Sequence, residues 1–145
     1  MNFNLRNNKN LILTSGAGLL SSEFSIFLVK QGYNVFIFDK NINKFLLLKE
    51  KLKVKNTFIF KVDITKYYAL RKLYKKILTK CGDIKVLINN ASFDWIPKKN
   101  KKIKIKLNSK NIINEFNKLL LFLISKDSSC ITGQNIIADG GRSII

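Results

Sequence analysis

The 145-residue sequence contains no histidine, which excludes histidine-based triads, histidine general bases and histidine metal ligands. Its two cysteines, Cys81 and Cys130, are too few and too far apart for a zinc site or a disulfide framework, and read as reduced cytosolic thiols. Acid is scarce as well: 9 Asp+Glu stand against 27 Lys+Arg, a formal net charge of +18. Long apolar runs are missing; Leu119 to Ile124 is the longest and falls far short of a membrane span. The opening residues Met1 to Asn10 are polar and Asn-rich, without the basic-then-apolar layout of a signal peptide. The expectation is a soluble, cytoplasmic protein with no membrane partner.

What is present argues for a folded chain. At 46% hydrophobic and 11% aromatic residues the sequence is no disordered polycation. A chain of this length can bury roughly 70% of its unfolded surface, so a single domain over residues 1–145 is expected. The basic charge raises nucleic-acid binding, because lysine neutralisation of phosphates dominates non-specific affinity. The lysines, however, are spread along nearly the whole chain together with much Asn, Ile and Phe, a joint bias that AT-rich coding sequence produces on solvated faces. Nucleic acid is therefore disfavoured as the main partner. One dense run, within residues 97–111, reads as a Lys-rich linker.

The apolar pattern alternates between strand and helix. Leu11 to Leu13 is a short apolar run ending in Thr14-Ser15-Gly16-Ala17-Gly18, and a helix starts near Ser21, with Phe24, Phe27 and Leu28 at helical spacing and Gly32 as terminator. Val35 to Phe38 is a continuous apolar strand closed by Asp39. Asn43 to Leu52 predicts a second helix, Thr57 to Val62 a third strand closed by Asp63, and Lys66 to Lys80 a third helix broken at Cys81-Gly82-Asp83. Ile84 to Ile88 is a fourth strand ending at Asn89-Asn90-Ala91-Ser92; a helix from about Ile112 to Ser125 and a last strand near Gln134 to Ala138 complete the series. This alternation predicts an α/β, Rossmann-like three-layer fold: a mainly parallel sheet of strands 1–4 plus a C-terminal strand, with helices on both faces.

Gly16-Ala17-Gly18-Leu19-Leu20-Ser21 forms a GxGxxG frame with Ser in the last place. Residues without Cβ let the backbone turn tightly and approach a pyrophosphate seated at a helix N-terminus, and Ser21 is small enough for helix-on-strand packing. Asp39 ends the next strand about 20 residues on, where an acid can accept from a ribose 2′-hydroxyl and repel a 2′-phosphate. That favours NAD over NADP, with Lys40 alongside working against it.

These residues together resemble the short-chain dehydrogenase/reductase family. The stretch LILTSGAGLLSSEFSIFLVKQGYNVFIFDKN is similar to the family's first strand, cofactor loop and second strand; VDIT, Val62 to Thr65, is similar to its adenine segment; and GDIKVLINNAS, Gly82 to Ser92, is similar to its fourth strand and Asn-Asn-Ala-Gly motif. Phe122 to Gly141 resembles the family's C-terminal helix end, loop and last strand. The resemblance implies diphosphate contact by Ser15, Gly16, Gly18, Leu19 and Leu20, ribose contact by Asp39, adenine contact by Asp63 and Ile64, and a floor beside the nicotinamide ribose from Asn90 and Ala91. Ser15 stands where the family usually has glycine.

The family's chemistry resides in a Ser and a Tyr-x-x-x-Lys pair, the Lys lowering the Tyr pKa so that the phenol can exchange a proton with the substrate. Only Phe93 to Asn111 fills the interval where they would lie, and it holds no Tyr. Tyr68 and Lys72 match the spacing elsewhere, but on a helix that precedes the Asn-Asn-Ala strand and whose core positions are read as Tyr67, Leu70, Leu73, Tyr74 and Ile77, which points the pair to solvent. No catalytic residue and no metal ligand is assigned.

Three readings follow. The leading one is an internally shortened, catalytically impaired dehydrogenase homologue that keeps an NAD(P) site, its small-molecule substrate unidentified. The second is a non-catalytic NAD-binding or partner-binding module, in which either the C-terminal strand docks on the fourth, giving the order 3-2-1-4-last, or an uncovered fourth strand invites homo-oligomerisation or aggregation. The third is a weak electrostatic nucleic-acid binder acting through the Lys-rich run.

Overall fold

The computed structural model describes residues 9–15, 19–41, 43, 56–91 and 109–138, arranged in two compact units, 1–99 and 100–145. The first unit holds strands β1 (Asn10–Thr14), β2 (Asn34–Asp39), β3 (Thr57–Lys61) and β4 (Ile84–Ile88) with helices α1 (Leu19–Lys30) and α2 (Tyr67–Cys81). The strands form one parallel sheet in the order β3-β2-β1-β4. This is the α/β, Rossmann-like arrangement that the alternating pattern predicts. The expected helix over Asn43 to Leu52 lies outside the described residues, apart from a helical Asn43.

Apolar continuity and central position go together. All five residues of β1 and the first five of β2 are buried, which is why neither strand shows polar alternation. Ile12, Phe36 and Phe38 point to one face, where Ile77 and Cys81 of α2 and Val62 complete a core. Phe36 stacks on Phe58 with ring centroids 5.1 Å apart, and Phe38 meets Phe60 edge-on at 6.0 Å. Each such ring contributes about 2–3 kcal/mol by leaving water. Burial pushes the Cys81 thiol pKa up, so that cysteine is an unreactive core residue.

Leu11, Leu13, Val35 and Ile37 alternate to the opposite face and are fully buried, and α1 packs on β2 there. Of the three apolar residues at helical spacing, Leu28 is buried, whereas Phe24 and Phe27 are not fully so. Among the described side chains of α1, Ser21, Ser22, Ser25 and Leu28 are buried, at i, i+1, i+4 and i+7, while Phe24 and Phe27 are half-buried. Small hydroxyl side chains bring helix and sheet close; Ser25 Oγ donates to the Ser21 carbonyl at 2.8 Å and so stays satisfied. The helix stops in a Schellman motif: Gly32 N–H donates to Val29 O at 3.0 Å, Tyr33 N–H donates to Leu28 O at 3.0 Å, and Gly32 has the left-handed φ of 84° that the motif requires.

The sheet is keyed at one end by a buried polar network. Asn10 Nδ2 donates to Cys81 O at 2.7 Å and Asp83 O at 3.1 Å, and Asn34 Nδ2 donates to Asn10 Oδ1 at 2.9 Å. Here the β1–β4 register also shifts: Asn10 lies opposite Ile84 but Leu11 opposite Val86. The extra residue, Lys85, is accommodated where Asn10 ties off the incoming turn.

The second unit contains α3 (Ser109–Leu123) and a short 3-10 turn (Lys126–Ser128) capped by Ser125, whose Oγ accepts from Asp127 N–H at 3.1 Å. The helix begins at Ser109 rather than Ile112, so the last residues of the expected 97–111 linker are its first turn; residues 97–108 lie outside the described set. The expected strand at Gln134 to Ala138 does not form. These residues carry no ladder and are exposed, Ile137 to 68%. Apolar content there signals strand propensity, but a strand exists only where a partner accepts its backbone hydrogen bonds.

Asn10→Ala removes both donors and the acceptor from a site with no access to water. Urea denaturation should show a loss of about 2–3 kcal/mol, against less than about 0.5 kcal/mol for Lys75→Ala on the exposed face of α2. An unchanged midpoint for Asn10→Ala would show that the network does not hold the sheet.

Candidate functional site

The carboxyl ends of the parallel strands gather the residues singled out in the sequence. A hollow of about 320 Å³ opens there, with Ser15, Asp39, Ile64 and Ala91 on its walls. Phe38, Val62, Lys40 and Thr65 complete the lining. Four of the predicted cofactor contacts thus meet in one place, from four separate chain segments. Gly16 and Gly18 lie outside the described residues, as do the side chains of Leu19 and Leu20, whose backbone forms the first turn of α1.

Ser15 turns the chain out of β1. Its φ is 55°, in the left-handed region that L side chains seldom occupy, and its N–H donates to Phe38 O at 2.8 Å. Ser15 therefore continues the β1–β2 ladder by one bond and immediately reverses direction, the step that glycine would take without strain.

Thr14 is the hub behind that turn. Its Oγ1 donates to Asn89 Oδ1 at 2.8 Å and accepts from the N–H groups of Asn90 and Ala91, each at 3.1 Å. Asn90 Nδ2 donates to Ser21 Oγ at 2.6 Å. One hydroxyl and one amide thus lock the end of β1, the segment after β4 and the first turn of α1 to each other. Asn90 was expected as a floor residue; the structure places its side chain on Ser21 of the helix. Thr14, Asn89 and Ser21 were not singled out as site residues. The signal available for them was a hydroxyl at the strand end facing an Asn pair at the end of the next parallel strand.

The acids have distinct surroundings. Asp39 ends β2 half-buried, and its Oδ1 accepts from Asn41 N–H at 2.7 Å. Asp63 follows β3; its Oδ1 accepts from Thr65 Oγ1 at 2.7 Å and Thr65 N–H at 2.9 Å, while Lys40 Nζ lies 3.1 Å from Oδ2. The Thr65 hydroxyl, then the Thr65 amide and Lys40, hold the Asp63 carboxyl down at about 2. Asp63 is thus a buttress beneath the hollow, positioning Lys40 and the Ile64–Thr65 wall. The matched pair Tyr68 and Lys72 is exposed to solvent, Tyr68 to 83%, as its spacing predicts, and neither residue lines this hollow. Among the described residues no group of three or more His, Cys, Asp or Glu could hold a metal, and no helix is long and apolar enough to cross a membrane.

Comparison with known proteins places this geometry. A family model described as short chain dehydrogenase matches residues 9–126. The chain is 34% identical over 85 residues to the short chain dehydrogenase/reductase dpfgG of Gibberella zeae, a match covering 58% of this chain and 32% of that protein. Among solved structures it resembles ElxO with NADP bound, with 20% identity and a TM-score of 0.54 over 75% of this chain and 43% of that one. It also resembles NAD+-bound xylitol dehydrogenase, with 20% identity and a TM-score of 0.54 over 60% and 34%. The chain therefore spans between about one third and one half of these relatives' lengths.

Two measurements check the site's physics. Asp63 has a folded-state pKa below its ordinary 3.8, so its contribution to stability is complete above that value and is lost as the pH falls through about 2. The Asp63 carboxyl carbon should titrate by NMR with a midpoint of about 2, and Thr65→Val should move it toward 3.8. Ser15→Gly relieves the left-handed strain and loses some unfolded-state restriction; the net expected in urea denaturation is a gain of about 0.5–1 kcal/mol.

Proposed function

The chain belongs to the short chain dehydrogenase family, and from that premise we propose that it binds NAD, in preference to NADP, through the hollow at the strand ends and does not itself complete a dehydrogenase reaction. The observation that carries the cofactor reading is the placement of Asp39 beside Ser15 and Ala91 on one hollow. The donor set fits the adenosine end of a dinucleotide: a carboxylate to accept from ribose hydroxyls, an apolar wall from Val62 and Ile64 for a flat base, and room at the low end of the roughly 300–1,000 Å³ range of ligand pockets. ElxO binds NADP and xylitol dehydrogenase binds NAD+, so family membership alone leaves the choice open.

The choice of NAD rests on the charges. A 2′-phosphate would meet the Asp39 carboxylate. Lys40, the adjacent cation, is turned to Asp63 at 3.1 Å, away from the role of offsetting Asp39. When bound, the nicotinamide supplies hydride transfer; the chain's own residues bind and orient. Asp39 would take the ribose hydroxyls and Ile64 would pack on the base, while the Thr14–Asn90 network ties the segment after β4 to the first turn of α1. Proton exchange with a substrate oxygen needs a tuned acid, and the interval Phe93 to Asn111 offers no tyrosine. Among the described residues the tyrosines Tyr67, Tyr68 and Tyr74 all lie on α2 and Tyr33 beyond the end of α1, none of them on the hollow.

Calorimetric titration should give a micromolar Kd for NAD and binding at least about tenfold weaker for NADP, equivalent to about 1.4 kcal/mol. Asp39→Asn should erase that difference, and no alcohol or ketone should be turned over. Equal affinities in the unaltered chain would overturn the NAD preference, and NAD-dependent turnover lost in Asn90→Ala would overturn the proposed inactivity.

A further inference from the structure

Helix α2 carries two seams. Leu70, Leu73, Ile77 and Cys81 face the core. A second row, Tyr67, Arg71, Tyr74 and Leu78, runs alongside it at intervals of four, three and four, the spacing at which one helix presents knobs to another. Tyr67 and Tyr74 were expected in the core; instead they are 63% and 40% exposed, and Leu78 is also exposed. Next to this row lies a groove of about 690 Å³ whose far wall is β4, with Leu87 exposed to 65%. Its floor includes Ile12, Leu70 and Ile84. Among the described residues no strand pairs with the outer edge of β4.

The electrostatics of the rim are one-sided. Arg71 and Lys85 line the groove, and no carboxylate does. Helix α2 also exposes Lys72, Lys75, Lys76 and Lys80 and contains no acid. The nearby Asp83 is engaged by Lys85 at 3.2 Å, and Arg71 has no ion-pair partner among the described residues.

We propose that the groove between α2 and β4 docks an acidic amphipathic helix of a partner polypeptide. The heptad-like row selects a helix, because Tyr67, Arg71 and Tyr74 line the groove at helix-packing intervals while Leu87 closes the opposite side of the trough. Arg71, exposed between Tyr67 and Tyr74 in that row, selects the charge: a helix packing there would cover its guanidinium, which a carboxylate on that helix would then pair. A second copy of this chain, itself at +18, brings like charge to the same seam. A nucleic-acid backbone would satisfy the cations but leave the apolar floor uncovered.

The test uses the full chain and two synthetic 21-residue helical peptides with leucine at a and d positions, one bearing Glu and the other Lys on the flanking positions. Fluorescence anisotropy at physiological salt should show the Glu peptide binding at least tenfold tighter than the Lys peptide. Leu87→Asp should weaken the Glu peptide at least tenfold; this residue is exposed, and circular dichroism checks that the variant folds. Arg71→Glu should reverse the peptide preference, whereas Lys72→Glu, the same change of net charge on the outward face, should leave it intact. Equal weakening by Arg71→Glu and Lys72→Glu would mean diffuse attraction to a basic protein and would overturn the proposal. So would tighter binding of the Lys peptide, failure of the Glu peptide to bind, or sedimentation equilibrium showing self-association that Leu87→Asp abolishes.

Discussion

Strand β1 is held by a polar clasp at each end, and the rest of the first unit depends on those two clasps. It is the central strand next to the edge strand β4, so its position fixes both β2 and β4. At its start, Asn10 bonds Asn34 of β2 and the Cys81 and Asp83 carbonyls leading into β4. At its finish, Thr14 bonds Asn89, Asn90 and Ala91 just beyond β4. Between them lie Leu11, Ile12 and Leu13, whose apolar contacts are strong but do not discriminate between registers. A slip of one residue would leave buried amide groups unpaired at both ends, a penalty of about 1–3 kcal/mol for each orphaned group.

The clasps also decide what can happen at the strand ends. Because Thr14 and Asn90 hold the β1, α1 and β4 termini together, the turns that line the hollow beyond them start from fixed strand ends. The left-handed Ser15 persists because its N–H is already committed to Phe38 O and its neighbour Thr14 is fixed threefold. Local strain of about 1–3 kcal/mol survives only where surrounding bonds overdetermine the backbone in this way. The serine face of α1 serves the same end: Ser21 sits close enough to the sheet for Asn90 to reach it, which a leucine stripe would prevent.

The strands of the sheet were legible because β1 and β2 are buried on both faces, and uninterrupted apolarity records that directly. The inward face of α1 was legible only in part, since Leu28 of the apolar spacing is buried but Phe24 and Phe27 are half-buried and the other buried residues among its described side chains are serines; spacing ranks residues by apolarity, and close packing selects for size. Tyr67 and Tyr74 failed for a related reason. They lie on the same side of α2 as the core residues by spacing, but the helix has an apolar arc wider than the sheet covers. Gln134 to Ala138 illustrates a third limit, because pairing is a property of two segments and a single segment's composition does not contain it.

Charge is uninformative on the faces of this molecule and informative at its turns. With 27 basic residues against 9 acids, most exposed lysines have no counterpart, and their density says little about any one position. Three carboxylates, by contrast, stand where backbone N–H or hydroxyl groups need an acceptor. Asp39 receives Asn41 N–H after β2, Asp63 receives Thr65 after β3, and Asp127 Oδ2 accepts from Ser125 Oγ at 3.3 Å in the 3-10 turn. Substituting lysine for any solvated residue costs little, whereas a cation at these turns would abolish an acceptor that the backbone geometry requires. These three acids therefore mark turns of the architecture, and Asp39, at the end of β2, lines the hollow. By the same reasoning a lone cation within an apolar row, as Arg71 is on α2, carries more information than any number of lysines on the solvated face beside it.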